Sequence, residues 1–459
     1  MIEISNLYSK YNYPVPRYTS YPPANNFQQE FNTEKYIDAI IKSNTQKPEN
    51  VSIYIHIPFC NKMCHYCGCF KTPIHTSEMI DKYIHAVKNE LKLLGMYIDK
   101  NRKLSQIHYG GGTPNAIPLN YIKELNDIIF EQYEIIDEAE IAIECNPAYI
   151  DYEDIAILNQ AGFNRISFGI QDFNIDVLNT VNRDPSKIPA DELVQHIREL
   201  YPHIRINFDF IYGLPGQTAD SFLETIQKAI DIKPDRLVTF SYAHVPWVNK
   251  AQLLLEKAGL PTEFNKIDMY FKSRDLLEQS GYTPIGFDHY VLENDELNDA
   301  FKSHNLHRNF QGYCTRRTTG QVYAVGVSSI SQLETVYVQN VKSIEDYIEK
   351  INNGGFAVEK EYSVSPDEII VRDIITNLLS NNSVDLQLIA DKYKLSFSEL
   401  EKLLKIDYET ISELTKDGVI IFENNKIDVT KYGILFIRNV AGALDPAFTK
   451  QYKNYSKPV

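Results

Sequence analysis

Apolar and polar positions along this chain repeat in two periods. Between residues 51 and about 243, short β-branched runs give way to longer stretches of helical spacing, and the exchange recurs as six strand–helix units. The runs Val51–Ile57, Leu104–Tyr109, Glu140–Cys145, Arg165–Ile170, Ile204–Tyr212 and Arg236–Tyr242 predict strands. Segments 76–97, 118–131, 151–161, 188–200 and 218–231 predict helices. Such alternation lays parallel strands side by side with helices outside, so the class is α/β, a barrel or a partial (β/α)6-type barrel. In that architecture ligands meet the C-terminal ends of the strands.

The flanks read differently. Pro14, Pro16, Pro22 and Pro23 break any helix in the first residues, which predicts an extended N-terminal arm, with a helix over 33–43. Residues 244–360 are less regular, with a helix near 263–279 and a strand over Tyr323–Ile330. From about 365 the spacing is helical, over 366–380, 385–392, 396–404 and 408–416, followed by a hairpin, Val419–Val429, centred on Asn424-Asn425. Three regions follow: an arm (1–50), a barrel with its extension (51–360) and a mainly α-helical, winged-helix-like C-terminal domain (361–459).

Charge narrows the use of that last domain. A winged helix can read DNA, but residues 365–459 carry 12 Lys and Arg against 14 Asp and Glu, and the whole chain has a formal net charge of −15. No basic footprint exists, so nucleic acid is excluded as a partner and the domain reads as a packing or substrate-covering unit. No basic n-region precedes an apolar stretch, and no apolar run approaches membrane-spanning length. The expectation is a soluble, cytoplasmic protein without membrane insertion.

The candidate chemistry lies just after the first strand. Cys60, Cys64 and Cys67 are spaced C-x3-C-x2-C. A loop this short brings three thiolates to one point, as a cubic iron–sulfur cluster requires, and three ligands leave one iron open to chelate an amino and a carboxylate group. Structural zinc is the alternative, but zinc sites gather paired thiols from two distant segments, and no second pair is present. Cys145 and Cys314 are isolated. Cys69 is either a fourth ligand, which would close the open iron, or a nearby free thiol; the spacing favours the latter.

Other candidates fall at strand ends. Tyr54-Ile55-His56-Ile57-Pro58-Phe59 leads into Cys60 and reads as a buried strand that fixes the loop, with the Tyr54 hydroxyl toward the cluster if it faces inward. Gly110-Gly111-Gly112-Thr113-Pro114 permits close backbone approach to a ligand, although such turns also serve packing. Glu144, Gln171, Arg183, Asp209 and Ala243 are individually weak and jointly sensible around a cationic ligand. Asp209 would be costly to bury unpaired, which argues for a ligand-facing position.

These residues sit in longer runs that resemble one family. Pro16-Arg17-Tyr18-Thr19-Ser20-Tyr21-Pro22, His56-Ile-Pro-Phe-Cys-x3-Cys-x-Tyr-Cys-Gly-Cys69, Tyr109-Gly-Gly-Gly-Thr-Pro114, Gln171-Asp172-Phe173, Val181-Asn182-Arg183, Asp209-Phe-Ile-Tyr-Gly-Leu-Pro215, His307-Arg308-Asn309-Phe310-Gln311-Gly312-Tyr313 and Val325-Gly326-Val327-Ser328-Ser329-Ile330-Ser331 are similar to the oxygen-independent coproporphyrinogen III oxidases, members of the radical S-adenosylmethionine (SAM) enzymes. The likeness spans nearly the whole chain. It implies a radical SAM partial barrel, a [4Fe–4S] cluster on Cys60, Cys64 and Cys67, and two bound SAM molecules. It implies Tyr54, Tyr66, Gly111, Gly112, Thr113, Glu144, Gln171, Arg183, Asp209, Ala243 and Ile330 as their contacts, with Tyr54 joining the cysteines as catalytic. The implied reaction turns two propionates of coproporphyrinogen III into vinyl groups through a 5′-deoxyadenosyl radical, in heme biosynthesis. An electron-donor protein, an electron acceptor and a monomeric state are implied with it.

The chain departs from the family where Cys314-Thr315-Arg316-Arg317-Thr318-Thr319 replaces an expected Thr-Thr pair, and where Asn146 stands for aspartate. Arg316 or Arg317 is a candidate anchor for a propionate, or else part of a solvated turn. Two other functions share the cysteine motif: a heme-binding chaperone, which typically lacks the arm and Cys69, and a radical SAM enzyme acting on another tetrapyrrole such as heme.

Overall fold

The computed structural model describes residues 4–28, 33–74, 76–309, 312–315, 319–448 and 455–458. The six strands form as β1 (Asn50–Ile57), β2 (Leu104–Gly111), β3 (Ile135–Cys145), β4 (Arg165–Gln171), β5 (Arg205–Tyr212) and β6 (Arg236–Ser241). They pair in parallel in chain order. Helices Ser77–Gly95, Leu119–Gln132, Tyr152–Gln160, Ala190–Leu200 and Ala219–Ile232 connect them. Their starts carry local signals: the Thr76 hydroxyl accepts from Met79 N, and Thr218 and Ser221 form a reciprocal capping box.

β4 shows why these strands form. Ile166, Phe168 and Ile170 are buried, and they join the helix residues Ile122, Leu158 and Ile197 in the main apolar core. Arg165, Ser167, Gly169 and Gln171 alternate with them and remain partly open. One face of the sheet is thus apolar under helices, and the other is polar.

The sheet is wider than the six repeats. β7 (Tyr282–Ile285) and β8 (His289–Leu292) add antiparallel strands beyond β6. β9 (Gly320–Val325) pairs in parallel with β1 on the opposite flank, and antiparallel β10 (Ile330–Gln332), β11 (Val336–Asn340) and β12 (Val358–Ser363) follow. The order is β12-β11-β10-β9-β1-β2-β3-β4-β5-β6-β8-β7, an open sheet of 12 strands. The architecture is therefore the α/β partial barrel, with a seventh parallel strand.

Two expectations need correction. The strand over 323–330 is two strands, because the chain turns sharply at Gly326, which has φ +96°. A Cβ there would lie 2.7 Å from the His56 carbonyl oxygen. The buried carboxyl of Glu90 holds this turn, accepting from Gly326 N at 2.8 Å and from Asn340 Nδ2 at 2.8 Å. Burial pushes that carboxyl up to about 7.

The N-terminal arm is not wholly extended either. Ile4–Tyr11 is a helix whose Leu7 and Tyr11 are buried, a face too short for periodicity to reveal. The proline-rich stretch after it is clamped by the C-terminal region. Arg438 donates to the carbonyls of Pro16, at 3.0 Å, and Val15. The Tyr18 and Tyr21 hydroxyls donate to the Asp445 carboxylate at 3.0 and 2.9 Å.

The C-terminal helices Pro366–Asn381, Leu386–Lys392, Phe397–Leu404 and Tyr408–Lys416 form close to their predicted bounds. Strands Ser383–Asp385, Ile420–Glu423 and Lys426–Val429 make a small sheet beside them. One buried apolar cluster runs from Leu7 to Leu444 and takes in arm, barrel and C-terminal helices.

Candidate active site

The polar face of the sheet encloses one cavity of about 500 Å³. Period two decides which side chains reach it. Gln106 and His108 of β2, Glu140 and Glu144 of β3, Ser167 and Gln171 of β4, Asn207 and Asp209 of β5, and Val238 and Phe240 of β6 line its wall. At the N-terminal ends of the strands it is floored by paired charges. Arg165 Nε lies 2.7 Å from Glu140 Oε2, and Arg236 Nε lies 2.7 Å from Asp295 Oδ2. Each of these buried ions has a partner, which marks the floor as structural.

The cysteine loop closes the other end, and Cys60, Cys64, Cys67 and Cys69 all border the cavity. Neighbouring loops pin its backbone. Asn249 Nδ2 donates to Cys67 O at 3.0 Å, Gln252 Nε2 to Tyr66 O at 2.9 Å, and Asn182 Nδ2 to Met63 O at 2.9 Å. Cys60 is buried, its Sγ 3.4 Å from Thr113 Oγ1. The Cys69 thiol and the Lys71 ammonium favour the Cys67 thiolate and draw its pKa down. Among the described residues no three acidic, His or Cys side chains converge as ligands of a single ion. Three thiols from one short loop suit a cluster that leaves one iron open, whereas zinc sites take paired thiols from two segments.

Above the loop's base sits the glycine turn. Gly111 has φ +113°, and a Cβ on it would lie 2.6 Å from the His56 ring. A Cβ on Gly112 would lie 2.6 Å from Pro58 O. Both glycines are required for the turn to lie against the start of the cysteine loop, and with Thr113 they border the cavity.

The strand ends complete the wall. Glu144 accepts from His108 Nε2 at 3.0 Å. Burial works against the charged imidazole of His108, but Glu144 outweighs it and raises the pKa. Gln171 sits at φ +69°, strained for a residue with a side chain, and its Oε1 is buried without a hydrogen-bond partner. Asp209 accepts from Ser167 Oγ at 2.7 Å and Asn207 Nδ2 at 2.9 Å. Burial, with Glu144's charge adding, pushes its carboxyl up to about 6.

Arg183 reaches in from the loop after β4. It donates to the Tyr66 hydroxyl at 3.2 Å, to Asn146 Oδ1 at 3.3 Å and to Gly169 O, and lies 3.6 Å from Cys64 Sγ. Asn146, the residue standing where aspartate is expected, is thus an Arg183 acceptor without a charge.

Of the sequence candidates, the cavity gathers Cys60, Cys64, Cys67, Tyr66, Gly111, Gly112, Thr113, Glu144, Gln171, Arg183 and Asp209. Tyr54 lies beside His108 across the β1–β2 pairing, the two rings stacked with centroids 6.0 Å apart. Its hydroxyl is 3.2 Å from His56 Nδ1. His56 Nε2 faces the Phe70 carbonyl at 3.1 Å, so Nε2 carries the proton and Nδ1 accepts from Tyr54. Ala243 follows β6 and Ile330 opens β10, where it packs with Phe27, Tyr337 and Val364; neither borders this cavity. Arg316, Arg317, Phe310 and Gln311 lie outside the described residues. Sequence reasoning missed His108, Asn207 and Ser167, although the period-two pattern of polar residues inside buried parallel strands marks them. It also missed Thr19, His289, Arg308 and Tyr313, which border the cavity from segments remote in sequence.

The radical SAM superfamily profile matches residues 54–229. The oxygen-independent coproporphyrinogen III oxidase of Synechocystis sp. is 37% identical over 443 residues, which cover 96% of this chain and 94% of that protein. The Escherichia coli protein of the same name is 36% identical over 439 residues, covering 96% and 94%. That of Helicobacter pylori strain J99 is 34% identical over 452 residues, covering 98% of each. The solved structure of coproporphyrinogen III oxidase from Escherichia coli, described as a radical SAM enzyme, has a TM-score of 0.87 at 35% identity, covering 94% of this chain and 98% of that one.

Proposed function

The chain belongs to the oxygen-independent coproporphyrinogen III oxidases of the radical SAM superfamily, and from that membership we propose how its own residues share the work. The enzyme oxidatively decarboxylates two propionates of coproporphyrinogen III to vinyl groups in heme biosynthesis, with a [4Fe–4S] cluster and SAM. When bound, cluster and SAM supply the electron and the carbon radical that takes hydrogen from a propionate β-carbon. Each decarboxylation then breaks the bond to the carboxyl carbon, releases CO2 and passes one electron to an acceptor. The chaperone and other-tetrapyrrole readings are not favoured.

In our reading Cys60, Cys64 and Cys67 hold the cluster and Cys69 does not. Glu144 and Asp209 present carboxylates to a cationic ligand, and the unpartnered Gln171 Oε1 offers it a hydrogen-bond acceptor. Gly111, Gly112 and Thr113 let a ligand approach the backbone, and Arg183 with Tyr66 fixes it from the side. Tyr54 orients His108 and through it Glu144. The observation that carries this reading is the single cavity shared by three loop thiols and the polar strand ends. It gathers the thiols and the polar strand ends around one space and so holds reactants at fixed distance, which is what a radical step needs from the protein.

The fuller proposal has two SAM molecules, with Ala243 and Ile330 among the contacts, in a cytoplasmic monomer served by an electron-donor protein. Equilibrium dialysis of cluster-loaded protein tests the count: two equivalents of SAM support it and one removes it. The decisive experiment is an anaerobic assay with SAM, a strong reductant, an electron acceptor and coproporphyrinogen III. Protoporphyrinogen IX with 5′-deoxyadenosine is expected. Deoxyadenosine without decarboxylation would move the search to another tetrapyrrole.

A further inference from the structure

We infer that Arg17 and Arg308 form the anchor for those carboxylates of the tetrapyrrole that are not removed. The inference rests on the substrate class proposed above. Of the substrate's carboxylates, the reacting one leaves as neutral CO2. An ion pair to it would stabilise the charged ground state and oppose its loss. The anchoring cations therefore belong on the propionates that persist.

The cavity wall contains six cationic side chains, and five are already engaged. Lys62 pairs with Asp184 at 2.7 Å, and Lys71 donates to Cys67 O at 2.8 Å. Arg165 and Arg236 belong to the ionic floor, and Arg183 is held by Tyr66, Asn146 and Gly169. Arg308 is different. It makes no ion pair among the described residues, and its Nη1 is buried without a hydrogen-bond partner. Its guanidinium is fixed over the rings of Phe287 and Tyr313, 4.9 and 5.0 Å from their centroids. A half-buried guanidinium held on two rings, with its Nη1 unpartnered, suits capture of a carboxylate.

Arg17 supplies the second cation. Among the described residues its Nε has only a 3.4 Å contact, to Ser456 Oγ, and the residue is exposed. Burial and the charge of Arg308 disfavour its charge while Asp288 favours it, so Arg17, Arg308 and Asp288 share a neighbourhood. The nearby carboxylate, Asp288, lies 2.6 Å from His289 Nδ1, and the charges of Arg308 and Arg17 also help hold its pKa down. Two cations face one carboxylate here, one of them in the cavity wall, and in a chain of net charge −15 that leaves positive charge for an anion at Arg308. The arm holds Arg17 ready, because Arg438 grips Pro16 and Asp445 grips Tyr18 on either side, and Thr19 borders the cavity.

The test uses cluster-loaded full-length protein and the variants R17A, R308A and R308K. The readouts are KM for coproporphyrinogen III, the Kd for SAM, iron content, and binding of the porphyrinogen as free acid against its tetramethyl ester. The alanine variants are expected to raise KM about tenfold or more, the scale of one lost charged hydrogen bond, with SAM affinity and iron unchanged. R308K should recover part of the loss. Wild type should prefer the acid, and the double alanine variant should not. An unchanged KM in both alanine variants, or a wild type that binds ester and acid equally, overturns the inference. A merely structural role would lower stability and leave the acid-to-ester ratio intact. If wild type binds the acid but never decarboxylates it, the proposed reaction falls while the anchor stands.

Discussion

Asp209→Asn should make the SAM-free protein more stable at neutral pH while weakening its hold on SAM. Burial, then the charge of Glu144, raises the Asp209 carboxyl from 3.8 to about 6. A shift of roughly two units corresponds to about 3 kcal/mol at full effect. The side chain is only partly buried at the cavity wall, so about 1–2 kcal/mol is the expected size. The folded protein binds this proton more tightly than the unfolded chain does. Stability is therefore fully present below pH 3.8, falls as pH rises toward 6, and stays lower above it. Asparagine removes the charge and keeps both bonds, with its oxygen toward Asn207 Nδ2 and its amide toward Ser167 Oγ, whose hydroxyl then accepts. Anaerobic denaturation of wild type and variant without SAM, between about pH 5 and pH 8, reads the difference. The variant's advantage should grow with pH up to about 6 and then level, and SAM affinity should fall about tenfold or more. An advantage that is flat with pH, or a variant less stable at pH 8 than at pH 5 relative to wild type, would refute the electrostatic account.

Cys64→Ala should abolish the visible absorbance and iron content of the reconstituted cluster, whereas Cys69→Ala should keep both; equal loss in the two would make Cys69 a ligand. Arg183→Lys should lower kcat/KM for SAM about tenfold or more with iron retained, since one ammonium cannot reach Tyr66, Asn146 and Gly169 together; unchanged kinetics would assign Arg183 to packing. Asp445→Ala strips the Tyr18 and Tyr21 hydroxyls of their shared acceptor and should cost about 2–4 kcal/mol. Limited proteolysis should then cut within residues 12–28 faster than in wild type, and an unchanged rate would show that Arg438 alone secures the arm.

Much of this protein is legible in local pattern. Six parallel strands, the helices between them and four C-terminal helices follow from periods and caps, because each such element buries one face and signals its own ends. The cysteine spacing is equally local: a loop of a few residues can present three thiols only one way. The likeness of the motifs to a known family carried the substrate, which no spacing states. What escaped the sequence is what depends on contacts between distant segments. β9 lies beside β1 through a parallel pairing some 270 residues apart, encoded only in complementary edges. The arm helix Ile4–Tyr11 is too short to hold without the partners it buries against. That Tyr54 stacks on His108 depends on the register of β1 against β2, which neither strand's own sequence states. Arg17 comes from the arm and Arg308 from the strand Leu306–Asn309, so only packing brings their charges near each other. Local order was written in the chain because backbone hydrogen bonding and periodic burial act over a few residues. The composition of the cavity was decided by tertiary structure, because charge and burial there depend on neighbours that the chain brings from hundreds of residues away.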